Sequence, residues 1–270
     1  MTGPTGMVTL DALDLALAAL FLLVNAGLNL WLHLGLAAQL AVSALRMVVQ
    51  LLLIGLVLKA LFATASPLWT ALAALVMVTA AGREVMARQE RRFTGWWTYG
   101  LGTTAMLAAA SLVMVLTLTT QVQPDPWYHP QYAIPMLGMV LGNTMTGIGL
   151  GLNTLVTGAH RERAAIEARL ALGGDRWQAL RPVLRGAMRT ALMPIINAIA
   201  AAGLVSLPGM MTGQILAGAD PVEAVKYQIL IFFLIAGGTG LGVFAALTAG
   251  ARRLTDERHR LRLDRLHGTG

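Results

Sequence analysis

The chain has 270 residues, 56% of them hydrophobic and only 12% charged, against about a quarter charged in a globular domain. Its apolar residues come in blocks long enough to cross a hydrocarbon layer of ~30 Å, which takes ~20 helical residues. Its charges are confined to a few segments instead of recurring along each helix, which excludes a hydrophobic soluble protein. With no cysteine, disulfide frameworks, thiolate metal sites, iron–sulfur clusters and cysteine nucleophiles are excluded as well.

In chain order, apolar runs predict spans near 11–32, 40–61, 66–84, 99–120, 132–157, 188–208 and 225–250. Asp11 and Asp14 precede or open the first run, and no Lys or Arg comes before Arg46. A secretory signal needs a basic start, so the first run reads as a retained helix. Breaks fall at Ser66-Pro67, at Pro124-Asp125-Pro126, at Pro208-Gly209 and at Asp220-Pro221. The expected fold is all-α: a polytopic transmembrane helix bundle of about seven spans, forming one membrane domain over residues 1–270.

Orientation follows from Lys and Arg in the short connections. Segment 83–92 holds Arg83, Arg88, Arg91 and Arg92; segment 161–189 holds seven arginines, and the chain from Arg252 onward holds six. Only Arg46, Lys59 and Lys226 lie elsewhere, and the connections around Asp125 and Gly213 have none. An odd span count collects the three basic segments on one side, giving an external N-terminus and a cytoplasmic C-terminus. The net charge of +7 is then a positive-inside signal with some attraction for anionic lipid. Nucleic acid is not an expected partner, because no aromatic residues interleave with a basic groove. The stretch 251–270, with Arg258-His259-Arg260-Leu261-Arg262, reads as a basic cytoplasmic surface tail.

The most informative stretch is 158–190, between spans five and six. It reads as helix, glycine break, helix. Ile166 and Leu170 share a face of the first piece; Trp177, Leu180 and Leu184 share one on the second. Gly173-Gly174 followed by Asp175 makes a stop and a new N-cap. Such an amphipathic pair either lies in the headgroup layer or presents a knob to a soluble partner.

Glu167-Ala168-Arg169-Leu170-Ala171-Leu172-Gly173 resembles the start of the Glu-Ala-Ala…Gly loop of ABC-transporter permeases. In those proteins the short helix docks into a groove on the ATPase subunit. The downstream Ile and Leu-Pro of that pattern are not met: Val183 stands at the Ile position, and Arg185 and Gly186 replace Leu-Pro. The stretches Leu45–Leu53, Gly142–Ile148, Ser206–Gly218 and Asp220–Gln228 are similar to the FetB family of iron-export permeases, which is related to plant aluminium-sensitivity proteins. That likeness runs from about residue 40 to 250. It implies a bacterial inner-membrane permease working as a homodimer with two copies of a separate ABC ATPase. This chain would bind no cofactor, and ATP and Mg would sit on the partner. The resemblance assigns the 158–190 segment the role of coupling helix, with Glu167, Ala168, Leu172, Gly173 and Trp177 docking the ATPase. A metal ion or small metal complex would be the substrate.

Two absences fit that division of labour. No G-x-x-x-x-G-K-[ST] phosphate loop is present. The run Gly237-Gly238-Thr239-Gly240-Leu241-Gly242 lies inside a span with no strand before it. Its Gly238 and Gly242, like Gly138 and Gly142 or Gly147 and Gly151, are spaced for close helix packing.

Polar groups inside spans are candidates for the translocation pathway: Gln50, Asn143, Thr144, Thr146, Asn153 and Asn197. Interhelical hydrogen bonding is an equal reading for the Asn and Thr residues, and Arg46 near a span end reads as snorkelling. The stretch from Leu207 to Glu223 is expected to form a re-entrant turn, adding Met210, Met211, Gln214 and Glu223, with Lys226 as ion-pair partner of Glu223. No His, Asp, Glu or Met cluster has metal-ligand spacing, and no hydrolytic constellation is present, so neither a catalytic residue nor a resident metal is expected. A secondary transporter or channel, and a non-transporting scaffold, remain competing readings.

Overall fold

A computed structural model describes residues 11–87 and 89–268; Arg88 of the first basic segment lies outside them. Nine α-helices are described: α1 (Ala12–Trp31), α2 (Ala37–Thr64), α3 (Pro67–Ala87), α4 (Trp97–Leu116), α5 (Pro130–Arg161), α6 (Arg163–Ala171), α7 (Arg176–Ala201), α8 (Gly209–Leu216) and α9 (Pro221–Arg253). A π-helical turn, Thr117–Gln121, extends α4. The chain groups into two compact units. One contains α1, α2, α8 and the first residues of α9 up to Ala224; the other contains α3 to α7 and α9 from Val225.

In the first unit, α1 starts at an Asp11–Asp14 capping box. The acidic pair ahead of the first span thus closes the orphan amides of its first turn. The Leu207–Glu223 stretch, expected as a re-entrant turn, contains helix α8. After it Gly218 takes φ +90°, its amide bonds Ile215 O, and Ala219 N bonds Gln214 O. Asp220 then caps α9, accepting from Val222 N at 2.9 Å and Glu223 N at 3.1 Å, with Pro221 as the first helical residue.

In the second unit α5 is the central element, with buried positions along its whole length. Glycines set its contacts. A Cβ on Gly138 would meet Met77 of α3 at 3.3 Å, and one on Gly151 would meet Ala191 of α7 at 3.0 Å. On α9, a Cβ on Gly238 would lie 2.8 Å from Val140, and one on Gly242 would strike Thr144. Of the expected glycine pairs, 147/151 and 238/242 mark close approaches, where only hydrogen in place of a methyl leaves room for the neighbouring helix. Gly138 makes one as well, but a Cβ on Gly142 would meet nothing within 4 Å. The pairings 158 with 183 and 151 with 191 make α7 antiparallel to α5; 140 with 238 and 151 with 247 make α9 parallel to it.

Six helices are long and apolar enough to cross a membrane: Leu13–Trp31, Ala37–Thr64, Pro67–Ala87, Trp97–Gln121, Pro130–Arg161 and Pro221–Arg253. They coincide with six of the seven expected spans. The seventh, 188–208, is different. Its first part is the end of α7, which begins back at Arg176 and carries Pro182 and Pro194 inside it. Past Arg189 that helix has about 18 Å of apolar length at 1.5 Å per residue, short of a hydrocarbon core. From Ala202 the chain turns, with Gly203 at φ +83° donating to Ser206 O.

The fold is also not purely helical. Strand β1 (Arg91–Phe93) pairs antiparallel with β2 (Leu266–Gly268). The C-terminal stretch expected as a surface tail is thereby folded back. Asp256 ties it with an ion pair to Arg260 at 2.8 Å, and Asp264 with one to Arg262 at 2.7 Å. Arg265 Nη1 donates to the carbonyl of Arg253, the last residue of α9, and to that of Thr255 just beyond it, satisfying an acceptor that a helix C-terminus leaves open.

Candidate functional site

The break between α6 and α7 is built as its sequence requires. At the end of α6, Gly173 takes φ +90°; its amide bonds Leu170 O and that of Gly174 bonds Arg169 O. This double closure is the glycine-ended helix stop. A Cβ on Gly174 would lie 2.9 Å from Arg169 O, so glycine is needed for space as well as for φ at its neighbour. Asp175 Oδ1 then accepts from Gln178 N at 2.7 Å, and Gln178 Oε1 accepts from Asp175 N at 3.2 Å. That reciprocal pair starts α7.

The angle between the two helices is held by two contacts. Ile166 is fully buried, and Arg169 Nη1 reaches across to Ala179 O at 3.2 Å. The result is a stiff elbow. Its outer side carries Glu167, Ala168, Leu172 and Gly173, all exposed. Leu172 is 89% exposed, an apolar side chain with almost no cover. Glu167 pairs with Arg163 at 2.8 Å along the helix.

Trp177 is placed differently from its expected face. The buried stripe of α7 is Ala179, Leu180, Val183, Ala187, Ala191 and Ile195, while Leu184 is only partly buried. The small residues Ala179, Ala187 and Ala191 admit α5, whose Gly158 would place a Cβ 2.8 Å from Val183. The bulkier Trp177 is left at the rim with 36% exposure, beneath Arg252 at 5.8 Å.

All three basic segments meet at this end of the second unit. Glu90 N bonds Asn153 Oδ1 near the end of α5 at 3.1 Å, and β1 pairs with β2. Arg176 N bonds His259 Nδ1 at 3.2 Å, and Arg253 stacks on Trp97 at 4.4 Å. Arginine at the C-terminal end of α9 also faces the negative end of that helix dipole.

The pathway candidates divide between the units. Gln50 on α2, Met210, Met211 and Gln214 on α8, and Glu223 in the first turn of α9 belong to the first. Of these Gln50 and Glu223 are exposed, and the two methionines and Gln214 are half-buried. Asn143, Thr146 and Asn153 belong to the second. Asn143 Nδ2 donates to Met139 O at 2.9 Å and Thr146 Oγ1 to Gly142 O at 3.0 Å, both within α5. Asn153 is the acceptor for Glu90 N, a tie between segments.

Two threonines stand out instead. Thr144 and Thr239 are fully buried, and neither hydroxyl has a partner. They face each other's helices: Thr144 lies against Gly238 and Gly242, and Thr239 against Gly147. Thr239 and the buried Gln228 of α9 were not among the candidates read from the sequence. A polar residue inside a glycine run of a span was the available signal for Thr239. Among the described residues, no three His, Asp or Glu side chains group as a metal site. A cavity of about 500 Å³ opens between α3, α4 and α5 beside Trp127 and Tyr128, and its walls are almost wholly apolar, from Leu75 and Val78 to Met114 and Ile134.

The family described as an uncharacterised protein family, UPF0014, matches residues 12–255. The chain belongs to UPF0014. Among UPF0014 relatives, it is 32% identical to the Escherichia coli probable iron export permease protein FetB, over 92% of this chain and 93% of that one. It is 35% identical to the Bacillus subtilis membrane protein YjkA, over 83% and 87%. It is 34% identical to the Arabidopsis thaliana protein ALUMINUM SENSITIVE 3, over 76% and 73%. No solved structure matches. This UPF0014 member is accordingly a multi-pass membrane protein of a family that includes a probable permease.

Proposed function

We propose that this UPF0014 protein is the permease subunit of an ATP-driven transporter, in which the 158–190 segment is the coupling element and a separate ABC ATPase supplies the energy. The observation that carries the reading is the elbow. A rigid turn holds exposed Glu167, Ala168, Leu172 and Gly173 outward at the basic end, with the Leu172 side chain 89% exposed among them. Trp177, already covered in part by Arg252, lies at the margin of that surface.

In this reading the basic end is cytoplasmic, the N-terminus is external and the chain crosses seven times. The antiparallel course of α7 between α5 and α9 supports the odd count, since the whole 26-residue helix, about 39 Å long, and not its apolar end alone, carries the chain back from the basic end before α9 begins. The protein works as a homodimer in a bacterial inner membrane. ATP and Mg bind the partner, no cofactor binds this chain, and the substrate is a metal ion or small metal complex, exported. The name of the Escherichia coli relative supports iron as that metal. With no grouped carboxylates or imidazoles among the described residues, cargo would be held in passing by weak oxygen and thioether donors such as Gln50, Asn143, Thr146, Met210, Met211, Gln214 and Glu223.

The test is reconstitution with the ATPase in proteoliposomes. Leu172→Asp and Glu167→Ala should abolish metal-stimulated ATP hydrolysis and transport while the purified chain elutes and melts as the parent does. Transport without any ATPase would favour a secondary transporter or channel. ATPase binding without substrate-stimulated hydrolysis would favour a scaffold.

A further inference from the structure

The C-terminal segment does more than pack back on the bundle: together with the start of α7 it encloses an open basin of about 630 Å³. Six arginines line it, Arg176, Arg252, Arg258, Arg260, Arg262 and Arg265, against the carboxylates of Asp256 and Glu257. Three are occupied: Arg260 by Asp256, Arg262 by Asp264 and Asp256, and Arg265 by the carbonyls of Arg253 and Thr255. Those bonds fix the wall. Hydrogen bonds from the Arg260 amide and guanidinium hold the Asp256 carboxyl below its ordinary range. The Arg262 guanidinium brings Asp264 to about 2, so both acids are charged and engaged at neutral pH.

The other three arginines are differently placed. Arg252 stands over the Trp177 ring, and the guanidinium groups of Arg176 and Arg258 have no acidic partner among the described residues. The basin therefore keeps a surplus of planar, forked donors of the kind that suits phosphate oxygens. Its depth in the membrane follows from α9. That helix is apolar through Ala249 and Ala251, and Arg252 stands in its last turn, so the basin begins where the apolar run of the span ends. Trp97 and Trp177, each beneath an arginine, are the amphipathic side chains that favour that level.

We propose that this basin is a binding site for a phosphodiester anion, and that its occupant is the headgroup of an anionic phospholipid. Its wall is contributed by the C-terminal segment and its floor by the first residues of α7. A bound headgroup thus bridges those two parts of the chain beside the elbow, adding to the direct bond from Arg176 N to His259. The site depends only on the membrane-spanning character of the chain, and stands whether or not an ATPase docks nearby.

The experiment uses the full chain purified in a neutral detergent, with lipid binding followed by native mass spectrometry and by thermal shift. The probes are dioleoylphosphatidylglycerol, dioleoylphosphatidylcholine and inorganic phosphate. The parent should retain phosphatidylglycerol and melt higher in its presence, with no comparable response to phosphatidylcholine. The double variant Arg176→Gln/Arg258→Gln removes the two guanidinium groups without acid partners and leaves the ion pairs of the wall intact. It should weaken phosphatidylglycerol binding by about thirtyfold. Arg181→Gln/Arg185→Gln, on an exposed face of α7 outside the basin, should leave binding within about twofold. Arg176→Lys/Arg258→Lys should restore part of the loss and report whether the site itself remains folded. Equal loss in the two glutamine pairs would overturn the site in favour of diffuse surface charge. Inorganic phosphate binding as tightly as the lipid would overturn the headgroup assignment, and unchanged lipid binding in the basin variant would overturn the proposal outright.

Discussion

Helix α7 meets its neighbours in two contrasting ways. Along its middle it lies against α5 through alanine and glycine, with Gly151 and Gly158 accepting Ala191 and Val183 at van der Waals limits. At its start it is held by hydrogen bonds and charge, through the Asp175–Gln178 box, the Arg169 reach to Ala179 O and the His259 contact. One junction is specified by the removal of side chains, the other by their chemistry. The first suits a lipid environment, where polar groups are costly and close packing is the main attraction. The second belongs at the aqueous end, where the same bonds would be individually modest.

Substitutions that exchange the two logics should separate them. The largest effect is expected from Gly158→Leu, which forces a side chain into the space of Val183. It should lower stability by about 1–3 kcal/mol or more, read as a fall in melting temperature in detergent. Adding Val183→Ala should recover part of it; no recovery would mean the close approach is not what specifies this junction. Next is Asp175→Ala, which removes a cap and should cost about 1 kcal/mol. Hydrogen exchange should quicken over residues 176–180 while the α5 amides stay protected. Quickening along α5 too would merge the two junctions into one cooperative unit.

Leu172→Ala should be smaller still in stability, within about 0.5 kcal/mol for an exposed position, although it removes side-chain surface from the outer elbow. A large fall in melting temperature would mean the leucine serves the fold and not a partner. The smallest effect concerns pH. Asp264 titrates at about 2 in the folded chain, held down by the Arg262 hydrogen bond, against an ordinary 3.8. A depressed carboxylate contributes stability that is complete above the ordinary value and is lost as pH falls toward 2. Asp264→Asn should therefore lower the melting temperature by a constant small amount above about pH 5, with the two curves converging as pH falls toward 2.

The same contrast explains what was legible in the sequence. Local chemistry was readable: Gly173 and Asp175 announce a stop and a start, Asp220-Pro221 announces α9, and the glycine pairs 147/151 and 238/242 announce close approaches. Six long apolar runs were equally plain. The face of α7 was not, because Trp177 and Leu184 satisfy helical spacing as well as Leu180 and Val183 do. The choice was made by the glycines of α5, more than twenty residues away in sequence. Nor was the continuity of α7: an amphipathic start followed by an apolar end looks like two elements when Pro182 and Pro194 lie between. Strands of three residues, pairing Arg91–Phe93 with Leu266–Gly268, have no period to read, so the folded-back C-terminal segment was invisible. As for the candidate site, the sequence found the elbow but not the basin beside it, whose arginines are drawn together from two separate segments.

The glycine contacts of α5 have a mechanical consequence. Gly147, Gly151, Gly238 and Gly242 act as keyways: turning α7 or α9 about its own axis by one residue would drive a Cβ into a neighbouring backbone or threonine. The three helices are thus denied independent rotation. A torque applied at the elbow would reach the opposite end of this unit with little slack, and it is at Pro182 and Pro194 of α7 and Pro135 of α5 that a backbone hydrogen bond resisting bending is missing.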